Sequence, residues 1–355
     1  MQNPERDTPY TVIDYDRLVA NLQRHQVRTQ QQGIAARPHA KTHKTPQISK
    51  LQLDYGARGI TLATIGEAEV FVDAGVTDIF LAYPLWLTPN KARRLQAIAV
   101  KARIAIGVDS VDGAHQAMKT LGVTPIEFLI EVDSGHHRSG CDPALVTPIA
   151  EALHQHGAKL RGIFTYPGHS YHPDTKDDAS QDEVAALTLA ANTLEAAGYS
   201  VAERSGGSTP SLHSTQDFLT ETRAGVYALG DAQQLELGTM AMEDIALSIV
   251  TTVVSARTNT AVVDAGSKVM GADKASFATG YGRVLGQPEA RIVAMSEHHA
   301  TLKFPEGSPP FSPGDILHLI PNHVCNAVNL VDEIVVRAEG STPQTWAVAA
   351  RGRNS

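Results

Sequence analysis

At 355 residues with 42% hydrophobic and 19% charged residues, the chain holds enough apolar material for one large domain plus a smaller one, since a single core stops growing at roughly 250 to 300 residues. A formal net charge of -8 without any Lys/Arg-rich run excludes nucleic acid as the main partner, because neutralising phosphates needs a basic stripe. No stretch approaches the ~20 apolar residues that cross a bilayer, and MQNPERDTPYTVIDYD lacks the pattern of a leader, so the expectation is a cytoplasmic protein with no membrane partner.

Taken in chain order, Pro9 to Ile13 is strand-like and precedes a helix starting near Asp14. Eight β-branched runs then follow, each ending in a polar or glycine cluster and most leading into an Ala/Leu/Glu-rich helical stretch. They are Ile34 to His39, Ile60 to Thr64, Ile79 to Tyr83, Ile104 to Asp109, Phe128 to Asp133, Gly162 to Tyr166, Val201 to Gly206 and Thr222 to Tyr227. Strands alternating with helices pair in parallel, and eight of them predict a (β/α)8 TIM-like barrel, with an open doubly wound sheet as the rival. After Asp231 the segments LSIVTTVVSA, TAVVDAG, ARIVAMSE, ATLKF, DILHLIP and EIVVRA are strands joined by Gly/Pro turns, which predicts a second, C-terminal β domain. The boundaries expected are 14–232 for the barrel and 233–355 for the β domain, the latter joined by the strand in residues 1–13.

The C-terminal ends of barrel strands carry chemistry, and polar clusters fall there. The first is ARPHAKTHK, where strand alternation would put His39, Lys41 and His43 on one face. A lysine amine becomes nucleophilic toward an aldehyde when burial lowers its pKa; a solvated basic loop is the bland alternative. SGGSTPS, with Gly207, Ser208 and Thr209, and RAGVY, with Gly225 and Val226, are rich in backbone N–H groups, and barrels often bind phosphate between these last two loops. Arg138 in DSGHHRSG and Arg223 in ETRAG are candidates for an anionic ligand, against the plain reading of surface ion pairs, and Cys141 reads as a small structural residue. In PNHVCNAVNL, His323 and Cys325 are expected on one face of a strand as two metal ligands of a soft kind that favours zinc, with a buried non-metal pair as the alternative.

Together these segments resemble the D-threonine aldolase and D-serine dehydratase family of pyridoxal 5′-phosphate (PLP) enzymes, a branch of the alanine-racemase-like barrels, and the similarity runs from TPYTVIDYDRL to WAVAARGR. The resemblance implies PLP on Lys41, Arg138 near the cofactor's O3′, and Gly207, Ser208, Thr209, Gly225 and Val226 around its phosphate. It also implies Tyr166 by the pyridine ring, Arg223 as a further cofactor contact, a homodimer, and a divalent metal, zinc or manganese with magnesium as a further option, on His323 and Cys325. In YPGHSYH the family's base matches His172, with His169 as its competitor.

The implied substrate is a small D-β-hydroxy-α-amino acid. Two lyase reactions fit: retro-aldol cleavage to glycine and an aldehyde, put first on the YPGHSYH match, and dehydration of D-serine or 3-hydroxy-D-aspartate to a keto acid and ammonia. The His-x-Cys pair leans toward the dehydratases. An amino-acid racemase is the third reading, and it leaves that pair without a purpose.

Overall fold

The parallel sheet is built from short apolar strands, each ending where glycine or polar residues interrupt the run. In the computed structural model, which describes residues 6–213, 218–308 and 310–355, β1 is Tyr10–Asp14. The parallel strands are β2 (Ala35–Ala36), β3 (Ile60–Leu62), β4 (Asp78–Pro84), β5 (Arg103–Val108), β6 (Glu127–Glu131), β7 (Lys159–Phe164), β8 (Glu203–Gly206) and β9 (Glu221–Thr222). Their order is β2-β9-β8-β7-β6-β5-β4-β3. A parallel bridge between His39 and Thr61 joins the two ends, so the sheet closes as a TIM-like barrel and not as an open doubly wound sheet.

Helices carry the chain between strands, and side chains written into the sequence start them. Thr64 accepts from Glu67 N while the Glu67 carboxylate accepts from Thr64 N, a capping box for the helix Ile65–Asp73. Thr88 and Ser110 cap Pro89–Ala99 and Val111–Leu121 in the same way, accepting from Lys91 N and Gly113 N.

Inside the barrel Phe80, Ala105, Leu129 and Phe164 pack together, the two phenyl rings edge to face at 5.0 Å. Gly107 completes this layer because a Cβ there would lie 2.7 Å from both Phe164 Cζ and the Tyr83 carbonyl oxygen. The opposite, N-terminal end is plugged by charge. Asp78, Arg103, Glu127, Lys159, Glu203 and Glu221 open β4 to β9, and Arg37 and Arg161 tie them together. Arg37 reaches Glu221 at 2.8 Å and Asp78 at 2.7 Å, and Arg161 reaches Glu203 at 2.5 Å. Charges buried this deeply persist only in pairs.

The second sheet has nine strands, in the order Thr260–Val263, Ala300–Lys303, Gln287–Met295, Gly282–Val284, Ile316–Pro321, Leu247–Arg257, β1, Glu333–Arg337 and Gln344–Ala347. β1 runs antiparallel to Leu247–Arg257 and parallel to Glu333–Arg337, and its alternate residues Tyr10 and Val12 pack with Val250 and Val335. One compact unit takes in the chain up to Gln23, Thr42–Gln47 and Val226–Gly352; the other takes in Arg24–Lys41, Ile48–Gly225 and Arg353–Ser355. Of the stretch 1–13 expected to join the β domain, residues 1–5 lie outside the described residues. Among the described residues no helix is long and apolar enough to cross a membrane.

Two local expectations are corrected. The last barrel bond after β2 is His39 N to the Ala224 carbonyl; beyond it Ala40–Thr42 closes into a 3-10 turn, so Lys41 shares no strand face with His39 and His43. His323 and Cys325 do not lie on a strand either. Asp231 Oδ2 accepts from Val324 N at 3.2 Å and helps turn the chain into the short helix Val324–Val328, with His323 at its N-cap.

Candidate active site

The barrel mouth gathers a lysine, an arginine and an aromatic ring. Lys41 leaves the turn after β2 with its Nζ 5.9 Å from the centre of the Tyr166 ring, two residues beyond β7. The Arg138 guanidinium stands 4.9 Å from the same centre, and His136 meets that ring edge-on at 5.5 Å. Glu131, Asp133, His136, Arg138, Thr165 and Tyr166 line a recess here.

Electrostatics at this mouth follow from burial. Glu131 ends β6, and its Oε2 has no hydrogen-bond partner among the described residues. Burial pushes its carboxyl up, against Ser139 and Arg138, which pull it down. Burial also lowers His136, with Arg138 and His169 adding to the effect. Asp133 goes the other way: burial acts to raise it, but hydrogen bonds from the His137 backbone and ring and from Gly135 N hold it below the usual range. Cys141 is a half-buried thiol that desolvation pushes up to about 12, in keeping with a structural role.

The two candidate bases differ in setting. His169, in the 3-10 turn Gly168–Tyr171, has 16% of its side chain exposed; its Nε2 lies 3.2 Å from Asp182 Oδ2. Its Nδ1 is buried with no partner among the described residues. His172 follows the turn with 44% of its side chain exposed, and its Nδ1 accepts from Asp174 N at 3.3 Å.

Gly207, Ser208 and Thr209 follow β8 and are closely tied. Ser208 N donates to Ser211 Oγ at 2.8 Å, and Ser208 Oγ lies 2.8 Å from Ser170 Oγ. Arg223 is fully buried, its Nη1 donating to Ser205 Oγ at 2.7 Å and its Nη2 to the Thr165 carbonyl. Its guanidinium sits 5.7 and 5.4 Å from the Phe80 and Phe164 ring centres. Gly225 and Val226 are buried, and Val226 opens the 3-10 turn Val226–Ala228.

In the β-domain unit, His323 Nδ1 lies 2.7 Å from Asp273 Oδ2, and Cys325 Sγ lies 3.3 Å from Oγ1 of Thr42, the residue after Lys41. Burial alone would lower the imidazole, but Cys325, Asp273 and Asp231 push it up to about 11. Among the described residues no group of three or more His, Cys, Asp or Glu side chains is disposed around one metal position. His323 and Cys325 offer one imidazole and one sulfur.

Comparison with known proteins places this arrangement. The alanine racemase N-terminal domain family matches residues 13–233 and the serine dehydratase domain family matches residues 246–337. A D-threo-3-hydroxyaspartate dehydratase of Delftia sp. (strain HT23) is 35% identical over 371 aligned positions, covering 96% of each chain. The chain belongs to the D-threonine aldolase and D-serine dehydratase family. Another relative is a D-threonine aldolase of Arthrobacter sp., 32% identical, with 98% of this chain and 93% of that protein covered.

Solved structures include alanine variants of a D-threo-3-hydroxyaspartate dehydratase at a histidine and at a cysteine two positions later, both with a TM-score of 0.88. The first is 33% identical, covering 97% of this chain and 95% of that one; the second is 32% identical, covering 97% of each, and is described as metal-free. The named relatives in this family are lyases acting on small D-amino acids, and the family's PLP fits the residues present: a lysine, an aromatic plate and an arginine share one mouth, and buried polar atoms on Glu131 and His169 have no partner among the described residues. A divalent metal suits the His323 and Cys325 donors, with Asp273 holding the imidazole as outer carboxylates do in metal sites.

Sequence reasoning missed Glu131, Asp182, Asp231 and Asp273. Glu131 carries a readable signal, a carboxylate ending an otherwise apolar strand run, FLIE. Asp273 lies 50 positions from its partner His323 and carries none.

Proposed function

We propose that this protein is a PLP- and divalent-metal-dependent lyase that dehydrates a D-3-hydroxy-α-amino acid, of the serine or 3-hydroxyaspartate type, to a 2-oxo acid and ammonia. The observation that carries it is the His323–Cys325 donor set with Asp273 behind the imidazole. It has the histidine and cysteine spacing of the dehydratase variants, the cysteine one of which is described as metal-free. The soft sulfur favours zinc, with manganese next.

When bound, PLP supplies an aldehyde and an electron sink, and the metal a Lewis acid for the β-hydroxyl. Lys41 Nζ would hold the aldehyde, and its amine is the base available at this mouth for the substrate's Cα proton. Arg138, which stands over the Tyr166 ring, would neutralise the cofactor's phenolate oxygen, and Tyr166 would orient its pyridine ring. Thr209, Gly225 and Val226 would offer amides and Ser208 and Thr209 hydroxyls to the phosphate, while Gly207, whose amide Glu183 takes, would turn the loop around it. Arg223 spends donors on Ser205 and Thr165 and so braces β7 against β8 under that site.

His169 serves the β-hydroxyl, returning a proton as it departs, with Asp182 orienting the ring as carboxylates orient catalytic imidazoles. His172 is the more exposed alternative. The same His169–Asp182 pair favours a second reading, retro-aldol cleavage, in which the base removes the hydroxyl proton instead. The sequence expectation puts cleavage first; the donor set supports dehydration first and cleavage second. A homodimer in the cytoplasm belongs to this reading, and neither cysteine forms a disulfide, as suits a reducing compartment.

The test is to incubate purified protein, PLP and Zn(II) or Mn(II) with D-threo-3-hydroxyaspartate, D-serine and D-threonine. Ammonia and the 2-oxo acid in equal amounts are expected. Glycine and an aldehyde in their place would overturn dehydration in favour of cleavage.

A further inference from the structure

We infer that Glu183 is a positioning residue for the cofactor's phosphate loop: its carboxyl holds the Gly207 amide in place and takes up one proton when the phosphate arrives. The inference rests on the reading of the chain as a PLP enzyme.

The helix Lys176–Ala196 buries Ala179, Ala186, Leu187, Ala190, Ala191 and Leu194. Glu183 lies in this small apolar stripe at the helical spacing and is only 1% exposed. A carboxylate there has no packing role that leucine or glutamine would not fill. Its Oε1 accepts from Gly207 N at 2.6 Å, and its Oε2 is buried with no partner among the described residues.

The loop is shaped to admit it. At Gly206 a Cβ would stand 2.2 Å from Glu183 Oε1, and Gly207 has φ +79°, a conformation that favours glycine. The two glycines of SGGSTP thus let a carboxyl reach the amide of the first residue of the proposed phosphate loop.

Charge sets the proton balance of binding. A phosphate ester carries between one and two negative charges at neutral pH, and Gly207 to Thr209 would bring it close to a carboxyl already unpaired on one oxygen. Like charges disfavour ionisation. The cation that acts on Glu183 is Arg223, and burial has already pushed the carboxyl up to about 7, against Gly207 N and Arg223.

On β7, β8, the turn Gly168–Tyr171 and the helix Val146–Gln155, which pack against this helix, the other ionisable groups are engaged elsewhere, as Tyr171 is with Tyr166, or exposed, as Glu151 is. Lys159 and Arg161 on β7 pair with Glu127 and Glu203, and Glu203 on β8 also takes Arg58. Arg204 on β8 turns to the Phe218 carbonyl, His169 on its turn pairs with Asp182, and His154 on the helix Val146–Gln155 packs on Tyr199. The proton taken up is therefore assigned to Glu183.

The experiment titrates apo protein with PLP, following the visible absorption of the bound cofactor, for wild type and Glu183→Gln from about pH 6.5 to 9. The glutamine oxygen still accepts from Gly207 N but cannot titrate. Relative to the variant, wild-type Kd should rise with pH above about 7, by up to tenfold per unit, as expected when binding requires a proton. Pyridoxal, which lacks the phosphate, should bind both proteins in a ratio independent of pH.

A pH-independent ratio for PLP, or the same trend with pyridoxal, would overturn the role of Glu183 and leave the PLP reading intact. No visible band with wild type would overturn the PLP reading itself. Should Glu183→Gln fail to fold, calorimetry of PLP binding to wild type near pH 8, in two buffers of different ionisation enthalpy, reads the proton directly. Uptake of close to one proton more than with pyridoxal supports the inference, and equal uptake refutes it.

Discussion

Replacing Arg37 by methionine tests whether the charged plug holds the barrel together. Arg37 has no exposed surface and reaches Glu221 at 2.8 Å and Asp78 at 2.7 Å. With charge centres about 4 Å apart and an effective dielectric near 20, each pair is attracted by about 4 kcal/mol, much of which offsets desolvation of the guanidinium. Removing it strands the fully buried Glu221 carboxylate, so the net loss expected is about 3 to 5 kcal/mol.

The pH dependence gives a second handle on the same variant. Burial alone would raise the Glu221 carboxyl, but Arg37 overcomes it and holds the folded value below the unfolded one. A depressed folded value adds stability that is present above the unfolded pKa, about 4.3, and is lost as pH falls through the folded one. The gap between wild type and Arg37→Met should therefore be full at neutral pH and close in acid. Urea unfolding followed by far-UV circular dichroism measures it, and Arg37→Met/Glu221→Gln should recover part of the loss. A change under about 1 kcal/mol at pH 7 would refute the reasoning.

Lys41→Ala should abolish the visible absorption that PLP gives with wild type, whereas Lys44→Ala, whose carbonyl accepts from Ala350 N, should retain it; the reverse would show that the wrong lysine was assigned. Cys325→Ala should lower zinc content, and Asp273→Asn should weaken zinc binding about 10- to 100-fold in a chelator competition; unchanged stoichiometry would remove the metal site as drawn. His169→Ala should cost about 10²- to 10⁴-fold in turnover with cofactor affinity spared, and more than His172→Ala does. A larger loss in the latter would return the role to His172.

The sequence made the barrel legible because its evidence is local and repeated. Each β-branched run ends on its own polar cluster, and Thr64, Thr88 and Ser110 mark helix starts within a few residues of them. The candidate ligands were legible by residue type, but not their geometry. Strand alternation in RPHAKTHK and PNHVCNAVNL lasts only as long as a ladder partner does, and a turn at Ala40–Thr42 and a helix start at Val324 intervene. The supporting carboxylates were hidden for a related reason. Asp273 and Asp231 meet the His323 turn only through the folded sheet, and Glu183 looks like one more polar residue of an amphipathic helix.

The position of β1 bears on how the chain is made. Its neighbours in the sheet are Leu247–Arg257 and Glu333–Arg337, so β1 leaves the ribosome long before either of them. At about 5 to 20 residues per second, the delay before Glu333–Arg337 arrives is on the order of 15 to 60 s. Until Leu247–Arg257 emerges YTVID carries two open backbone edges, and after that one, the kind of surface that recruits other chains. The barrel strands Ala35–Thr222, by contrast, are all synthesised before the first β-domain strand after them, so a chain ending at Gly238 and released from the ribosome should already resist proteolysis across the barrel while remaining cleavable at its N-terminal strand.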